Sequence, residues 1–259
     1  KQGLMSANRK TMMMGNWKMN GGWQANQELM RALRTGLSSS SGVRMGACVP
    51  SPYLAQAQSE WQGSGWIWGA QDLSVHEQGA FTGEVSAGML KDFAVTHVLV
   101  GHSERRQYHA ETDELVASKA KQALAHGITP IVCVGETLAE REAGQTESVV
   151  KRQLAAVIHV VGHCASELVV AYEPVWAIGT GITATPEQAQ AVHAVLRAQL
   201  RAATDHADRM TILYGGSMNA ANAADLMAQP DIDGGLVGGA SLKANDFLQM
   251  IRTAQAHAA

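Results

Sequence analysis

Short apolar or β-branched runs alternate along the chain with longer stretches that have helical spacing. Eight of the short runs qualify as strands, and a helix candidate follows each of them. The strand candidates begin at Thr11, Val43, Trp66, His97, Ile128, Leu168, Thr211 and Asp233. This order predicts eight consecutive βα units of about 30 residues.

The clearest strand candidates are almost entirely apolar, which is typical of parallel strands that are covered on both faces. They span residues 98–100, 131–134 and 168–172. The segments 113–126 and 186–205 are predicted helices, and Pro186 suits the first turn of the second one because no intrahelical partner is lost there. Both a closed barrel and an open doubly wound sheet fit this alternation, and periodicity does not separate them.

The length of 259 residues suits one barrel of roughly 250 residues and also two smaller domains. Because no low-complexity linker divides the chain, we predict a single domain over residues 10–259. Residues 1–9 lack the apolar core of a signal peptide, and we expect a short disordered lead or a remnant of cloning there.

Charge and cysteine content exclude several kinds of partner. The 20 Lys and Arg against 23 Asp and Glu give a net charge of −3, too near neutral to predict binding to nucleic acid or to an anionic membrane. The apolar runs are far shorter than the roughly 20 residues of a membrane span. Three cysteines, Cys48, Cys133 and Cys164, have no metal-ligand spacing and are expected in a reduced, cytoplasmic protein.

Polar and glycine residues cluster directly after the strand candidates. The carboxyl ends of parallel strands meet at one face, so we expect these residues to share a site. In chain order they are Asn16 and Lys18, His102, Ser103 and Glu104, Glu173, Ser217, and finally Gly238 and Gly239.

Four of these side chains could together move a proton beside a carbonyl group. Glu173 ends an apolar strand, where desolvation would raise its proton affinity and make it a general base. His102 could donate a hydrogen bond from a neutral ring to the carbonyl oxygen, Lys18 could stabilise the developing enediolate, and Asn16 could add a donor. Taken singly, each residue has an ordinary explanation as a surface or packing residue, and only their joint placement favours catalysis.

Glycine pairs at residues 215–216 and 238–239 leave backbone N–H groups open to close approach by an anion, and Ser217 adds a hydroxyl group. Such a cradle suits a phosphate at this end of a barrel. Glycine pairs are common in turns, so this signal is weak by itself. No spacing of side chains in the sequence resembles a metal site.

Six stretches in order carry a resemblance to a known family. They read GNWKMNG at 15–21, GAFTGEVSAGMLKDF at 79–93, VGHSERR at 100–106, AYEPVWAIGTG at 171–181, YGGS at 214–217 and LVGGASL at 236–242. Over about residues 10–254 the chain resembles the triosephosphate isomerase family. The resemblance implies an α/β protein with the (β/α)8 TIM-barrel fold, whose eight parallel strands are surrounded by helices. It also implies interconversion of D-glyceraldehyde 3-phosphate and dihydroxyacetone phosphate without a cofactor or a metal.

The resemblance further assigns roles to individual residues. Glu173 matches the family's base, His102 its electrophile, and Lys18 and Asn16 the groups that hold the substrate. Around them, Glu104 matches a carboxylate beside the lysine, Ser103 a partner of the glutamate in the open state, and Gly179, Ser217, Gly238 and Gly239 the phosphate-binding groups.

Two further segments gain a meaning from the family. Residues 174–184 match its lid, with Ile182 where a lysine is common, and Asp72 stands where an asparagine is frequent. The loop that begins at Gly79 and ends at Glu84 matches the family's interface loop, which implies a homodimer with this loop at the interface. From the residues alone, an ordinary surface turn would explain this loop equally well.

Two alternatives remain open from sequence. Fold does not fix function, so another isomerase or a phosphosugar aldolase is an enzyme alternative, and an aldolase would use Lys18 to form a Schiff base. A protein that binds phosphorylated metabolites and has lost catalysis is the non-enzyme alternative.

Overall fold

The computed structural model describes residues 11–38 and 42–258. The predicted lead at residues 1–9 lies outside the described residues.

Strands and helices alternate throughout this part of the chain. The strands β1 to β8 are Thr11–Asn16, Val43–Cys48, Trp66–Gly69, His97–Val100, Thr129–Val134, Val169–Tyr172, Ile212–Tyr214 and Gly234–Val237. The helices α1 to α10 are Trp23–Gly36, Leu54–Trp61, Ala87–Asp92, Ser103–Tyr108, Asp113–Ala125, Leu138–Glu142, Thr146–Val161, Pro186–Ala203, Ala223–Met227 and Ala244–Ala258.

The strands form a closed parallel barrel. Neighbouring strands follow the order β3, β2, β1, β8, β7, β6, β5, β4, and every pair runs parallel. A parallel bridge between Ala70 and Val98 joins β3 to β4 and closes the circle. The predicted (β/α)8 TIM barrel is therefore confirmed, and the open doubly wound sheet is excluded.

The first strand shows how apolar side chains serve both faces of the barrel wall. Met12 and Met14 point into the barrel, where they pack among residues such as Leu99 and Ile131. Met13 points outward into the layer between the strands and the helices. Because successive side chains of a strand point to opposite faces, an unbroken apolar run is what a strand buried on both sides requires.

Four strand starts agree with the sequence prediction, and four lie one residue later. The strands predicted from Ile128, Leu168, Thr211 and Asp233 begin at the next residue in each case. Ile128 is buried, but its N–H donates to the Ala123 carbonyl at the end of α5, so its backbone completes the helix instead of the sheet. The helices predicted to end at residues 126 and 205 end at Ala125 and Ala203.

Helix α8 begins with a capping box directly after the predicted lid. The Thr185 hydroxyl accepts the Gln188 N–H at 3.1 Å, and the Gln188 side chain accepts the Thr185 N–H at 2.9 Å. Pro186 occupies the first turn, as predicted. The segment before α8 therefore ends at a fixed point.

Among the described residues, none of the helices combines the length and the apolar character that crossing a bilayer requires.

Candidate active site

The predicted site residues gather at the carboxyl ends of the strands. A cavity of about 190 Å³ at this end is lined by Asn16, Lys18, His102, Glu173, Gly179, Ser217, Gly238 and Gly239, among others. Glu104 and Ser103 lie behind it and contact Lys18 and Glu173. The strand-end positions thus bring together side chains that are up to about two hundred residues apart in sequence.

Glu173 and His102 form a buried hydrogen-bonded pair at the centre of the cavity. Their side chains are 3% and 7% exposed, and His102 Nε2 lies 2.9 Å from Glu173 Oε2. The Ser103 hydroxyl donates to the same Oε2 at 3.5 Å. The other oxygen, Oε1, is buried and has no hydrogen-bond partner among residues 11–38 and 42–258. One carboxylate oxygen is therefore held in place, while the other is left without a protein partner in the described ranges.

The carboxyl group of Glu173 departs from the sequence expectation. Burial alone raises its pKa, but the neighbouring His102 ring, with Lys18, outweighs burial and holds the pKa of Glu173 below its ordinary value. The prediction of a raised proton affinity is therefore wrong for this conformation. The sequence indicated burial correctly, but it did not show a hydrogen-bond donor 2.9 Å away.

His102 is held in one tautomer by the start of helix α4. The backbone N–H of Glu104 donates to His102 Nδ1 at 3.1 Å, so Nδ1 carries the lone pair and Nε2 carries the proton. Burial disfavours the charged ring, whereas the Glu173 carboxylate outweighs burial and raises the pKa of His102. The Glu104 N–H points at Nδ1 and opposes the binding of a second proton to the ring. The geometry therefore fits a neutral ring that donates from Nε2.

Lys18 is fixed both at its backbone and at its ammonium group. Its φ of +53° is unusual for a residue with a side chain. The Gln71 side chain donates to the Lys18 carbonyl at 2.9 Å, and the Lys18 N–H donates to the Asn16 side-chain oxygen at 2.9 Å. Lys18 Nζ lies 2.9 Å from Glu104 Oε1. These contacts hold the ammonium group at the edge of the cavity.

Gln71 is a site residue that sequence reasoning missed. Its side chain donates to the carbonyl of Lys18, which is 53 positions away, and no local sequence pattern predicts such a contact. The strained conformation of Lys18 is tolerated because surrounding hydrogen bonds determine it.

Of the two glycine pairs predicted to leave N–H groups open to an anion, only the pair 238–239 does so at the open side of both residues, because the Gly215 N–H donates to the Tyr172 carbonyl at 2.7 Å. Gly238 and Gly239 line the cavity, and a side chain at Gly239 would meet nothing within 4 Å, so the space above this backbone is open. On the other side, the Ser217 hydroxyl donates to the Ala177 carbonyl at 2.7 Å and keeps its lone pairs. The cradle therefore offers open backbone approach on one side and a polar side chain on the other.

The segment of residues 174–184 is fastened at both ends and exposed in the middle. The Val175 N–H donates to the Glu136 carbonyl at 3.1 Å, and a short 3₁₀ helix covers Val175–Ala177. Residues 179–183 are exposed, and Gly179 has a φ of +66° that favours glycine. Such a segment can change conformation between fixed ends.

A buried carboxylate that the sequence did not single out supports the start of this segment. Glu136 is fully buried and accepts a hydrogen bond from the Tyr172 hydroxyl at 2.8 Å. Arg141 Nε lies 3.5 Å from Glu136, and its guanidinium group stacks 4.9 Å above the Trp176 ring. No local motif signals these contacts, because Glu136 and Arg141 follow β5 whereas Tyr172 and Trp176 lie at and just after the end of β6.

Asp72, which the sequence resemblance marked as a departure, belongs to a cluster of alternating charges. Its two oxygens lie 2.7 Å from Lys119 Nζ and 3.1 Å from Arg105 Nη2. Glu111 Oε2 bridges the same two cations, at 3.1 Å from Lys119 Nζ and 2.5 Å from Arg105 Nε. Arg105 lies in helix α4, so the cluster helps to fix the helix that carries Glu104.

No group of three His, Cys, Asp or Glu side chains within the described ranges has the arrangement of a metal site. All three cysteines are free; Cys48 and Cys133 are buried, as expected for packed core thiols.

Together, the closed parallel barrel and the polar cavity at the carboxyl ends of its strands define a (β/α)8-barrel enzyme. Residues 11–254 match the family model described as triosephosphate isomerase. The chain belongs to the triosephosphate isomerase family, and it is an isomerase.

Curated relatives with that name are similar over nearly their full length. The triosephosphate isomerase of Paracidovorax citrulli is 71% identical over 248 residues, which cover 95% of this chain and 99% of the relative. The enzyme of Delftia acidovorans is 69% identical over 247 residues, covering 95% and 100%. That of Albidiferax ferrireducens is 68% identical over 246 residues, covering 95% and 99%.

Proposed function

We propose that this isomerase interconverts D-glyceraldehyde 3-phosphate and dihydroxyacetone phosphate with Glu173 as the base that moves the proton. The observation that carries this assignment is the buried Glu173 carboxylate, of which one oxygen is hydrogen-bonded to His102 Nε2 and the other has no partner in the described chain. A carboxylate of low pKa stays deprotonated at neutral pH and can accept a proton when substrate enters.

The reaction begins when Glu173 takes a proton from the carbon next to the substrate carbonyl. The electron pair of the broken C–H bond forms a double bond between the two carbons, and the carbonyl oxygen becomes negative. Substrate separates Glu173 from His102, so the carboxylate loses a hydrogen bond that holds down its pKa. Its basicity therefore rises at the moment of proton transfer. A proton then passes from the hydroxyl group on the deprotonated carbon to the former carbonyl oxygen, with His102 Nε2 giving a proton to one oxygen and taking one from the other. The protonated Glu173 returns its proton to the former carbonyl carbon, the second oxygen becomes the new carbonyl, and no cofactor is consumed.

His102 and Lys18 stabilise the negative oxygen of the enediolate. The lone pair at His102 Nδ1 faces the N-terminus of α4, so the neutral ring donates from Nε2. The same pairing of a glutamate base with a neutral histidine is known for the triosephosphate isomerase family. Lys18 supplies positive charge at the edge of the cavity, and Asn16 supplies a side-chain amide. Glu104 positions the ammonium group, and Ser103 holds Glu173.

The phosphate group binds at the opposite wall of the same cavity. The N–H groups of Gly238 and Gly239 approach it from β8, Ser217 contacts it from β7, and Gly179 joins when the lid closes. Closure of residues 174–184 excludes water and keeps the enediolate from losing its phosphate. The fixed ends and exposed middle of the segment support this role.

We also propose that the protein acts as a homodimer in the cytoplasm. A second, larger cavity of about 640 Å³ adjoins Lys18 and His102 and is also lined by Met19 and Tyr108. Met19 is 96% exposed and Tyr108 is 73% exposed, which favours a covered surface. In the proposed dimer, the exposed loop of residues 79–84, with Thr82 in its middle, enters that cavity on a second copy. Free cysteines agree with a reducing compartment.

A coupled assay of D-glyceraldehyde 3-phosphate conversion tests the assignment. We expect a fast wild type, and Glu173→Gln should be folded, should still bind phosphoglycolate, and should lose at least about 10³-fold in kcat because its amide cannot accept the proton. Glu60→Gln, which removes a carboxylate that pairs with Arg31 and does not line the cavity, is the matched control and should keep wild-type activity.

Three outcomes would contradict the proposal. A Glu173→Gln variant as fast as the wild type would show that Glu173 is not the base. An inactive wild type that binds phosphoglycolate would indicate a binding protein. Trapping of substrate on Lys18 by borohydride would favour aldolase chemistry instead.

A further inference from the structure

The loop between β3 and α3 is exposed but held in one shape by its own contacts. Every residue from 76 to 84 is exposed. The Ser74 N–H donates to the Val85 carbonyl at 2.8 Å and joins the two ends of the loop. Inside it, the Glu84 N–H donates to the Phe81 carbonyl at 3.0 Å.

A pair of aromatic rings spans the interior of this loop. The His76 and Phe81 rings are stacked, with centroids 3.6 Å apart and an angle of 5° between their planes. The backbone N–H of His76 donates to the Ser74 hydroxyl at 3.0 Å, which fixes the backbone of His76. His76 covers one face of the Phe81 ring, and the Phe81 residue is still 38% exposed.

We propose that the stacking of His76 on Phe81 preorganises this loop for insertion into the cavity of a second copy of the chain, and so determines the affinity of the dimer. This inference rests on the proposed dimer. An exposed loop without secondary structure ordinarily loses conformational freedom when it binds, and a contact that already holds the bound shape reduces this cost. His76 thus acts on assembly without touching the reacting atoms.

The expected effect follows from the strength of one aromatic pair and the symmetry of the dimer. Both loops insert, so removal of the stack acts twice. His76→Ala should raise the dimer dissociation constant by about 5- to 150-fold, which corresponds to about 1–3 kcal/mol at 1.4 kcal/mol per tenfold change. His76→Phe keeps a flat ring over Phe81 and should stay within about threefold of the wild type.

Analytical ultracentrifugation over nanomolar to micromolar concentrations measures the dissociation constant for the wild type and each variant. The matched control is His159→Ala, which removes an exposed histidine from α7. Isomerase activity is followed over the same dilution series. At high protein concentration, the activity of His76→Ala should equal that of the wild type. On dilution, His76→Ala should lose activity at a higher protein concentration than the wild type does. Circular dichroism verifies that each variant is folded.

The outcomes separate this inference from the proposed function. A wild type that is monomeric at every concentration would overturn the dimer itself. A dimeric wild type and a His76→Ala variant with the same dissociation constant would overturn the role of the stack and leave the dimer intact. Lost activity in a His76→Ala dimer at high concentration would show that the loop acts on catalysis and not on assembly, which also contradicts the inference.

Discussion

Gly215 is the residue whose replacement most directly tests whether Glu173 must occupy its present position. A Cβ atom built on Gly215 would lie 2.8 Å from Glu173 Cγ and 3.2 Å from the Tyr172 carbonyl oxygen. Carbon atoms that are not bonded pack at about 3.5–4.0 Å. The carbonyl oxygen belongs to the barrel wall and cannot yield easily, so in Gly215→Ala the Glu173 side chain must move by roughly 1 Å.

A displacement of this size should be costly for catalysis and mild for folding. A shift of about 1 Å in a reacting group lowers rates by on the order of 10²-fold, or about 2.7 kcal/mol in the activation free energy. We therefore expect kcat of Gly215→Ala to fall by about 10²-fold. KM should change less than kcat, because the Gly215 N–H is already bonded to the Tyr172 carbonyl and the open glycines of the phosphate cradle, Gly238 and Gly239, follow β8.

The coupled isomerase assay, run with saturating substrate and with phosphoglycolate as a competitor, separates kcat from binding. Gly22→Ala is the control, since an added Cβ there meets nothing within 4 Å and its φ of −163° suits any residue. If folded Gly215→Ala kept a kcat within about threefold of the wild type, the position of Glu173 would not control the rate, and the reasoning would be refuted.

Three other predictions follow from the structure. Glu173→Asp should keep the fold and lower kcat by on the order of 10²-fold in the same assay, because the shorter side chain withdraws the base; an unchanged kcat would contradict this. Burial lowers the pKa of His193 to about 4 from 6.5, so its contribution to stability is complete above pH 6.5 and is lost as pH falls towards 4, by about 3 kcal/mol at 1.36 kcal/mol per pKa unit. Urea titrations of wild type and His193→Gln between pH 7 and 5 check this, and parallel pH dependences would count against it. Iodoacetamide should label Cys164 in the native protein and reach the buried Cys48 and Cys133 only after unfolding, which peptide mass spectrometry can show.

The barrel could be predicted from the sequence to within a residue or two because its strands leave a strong signal. A strand that is covered on both faces is a continuous apolar run, so its first residue can be located in the sequence. Strands β1 to β4 begin where they were predicted. The later strands were predicted one residue too early, since a buried side chain does not reveal where the backbone N–H is used. Leu168 is buried like a strand residue, but its N–H donates to the Ala165 carbonyl of the preceding turn.

The positions of the site residues were predictable, but their contacts were not. Strand-end placement indicated that His102, Glu173 and Lys18 share one face of the barrel. The 2.9 Å contact between His102 and Glu173 depends on how β4 and β6 are spaced by β5, and on the turn that starts α4. The lowered pKa of Glu173 follows from that contact, and so it could not be derived from burial alone.

Asp72 shows that a departure from the family can be explained by its surroundings. Asp72, Glu111, Lys119 and Arg105 form a cluster of two carboxylates and two cations, whereas an asparagine at position 72 would leave one cation in excess. Asp72 and Arg105 line the cavity that we propose is filled by a second copy. Covering an uncompensated charge is costly because the charge loses its hydration, and a balanced cluster reduces that cost. In the proposed dimer, an aspartate at position 72 would therefore reduce the cost of covering this cluster.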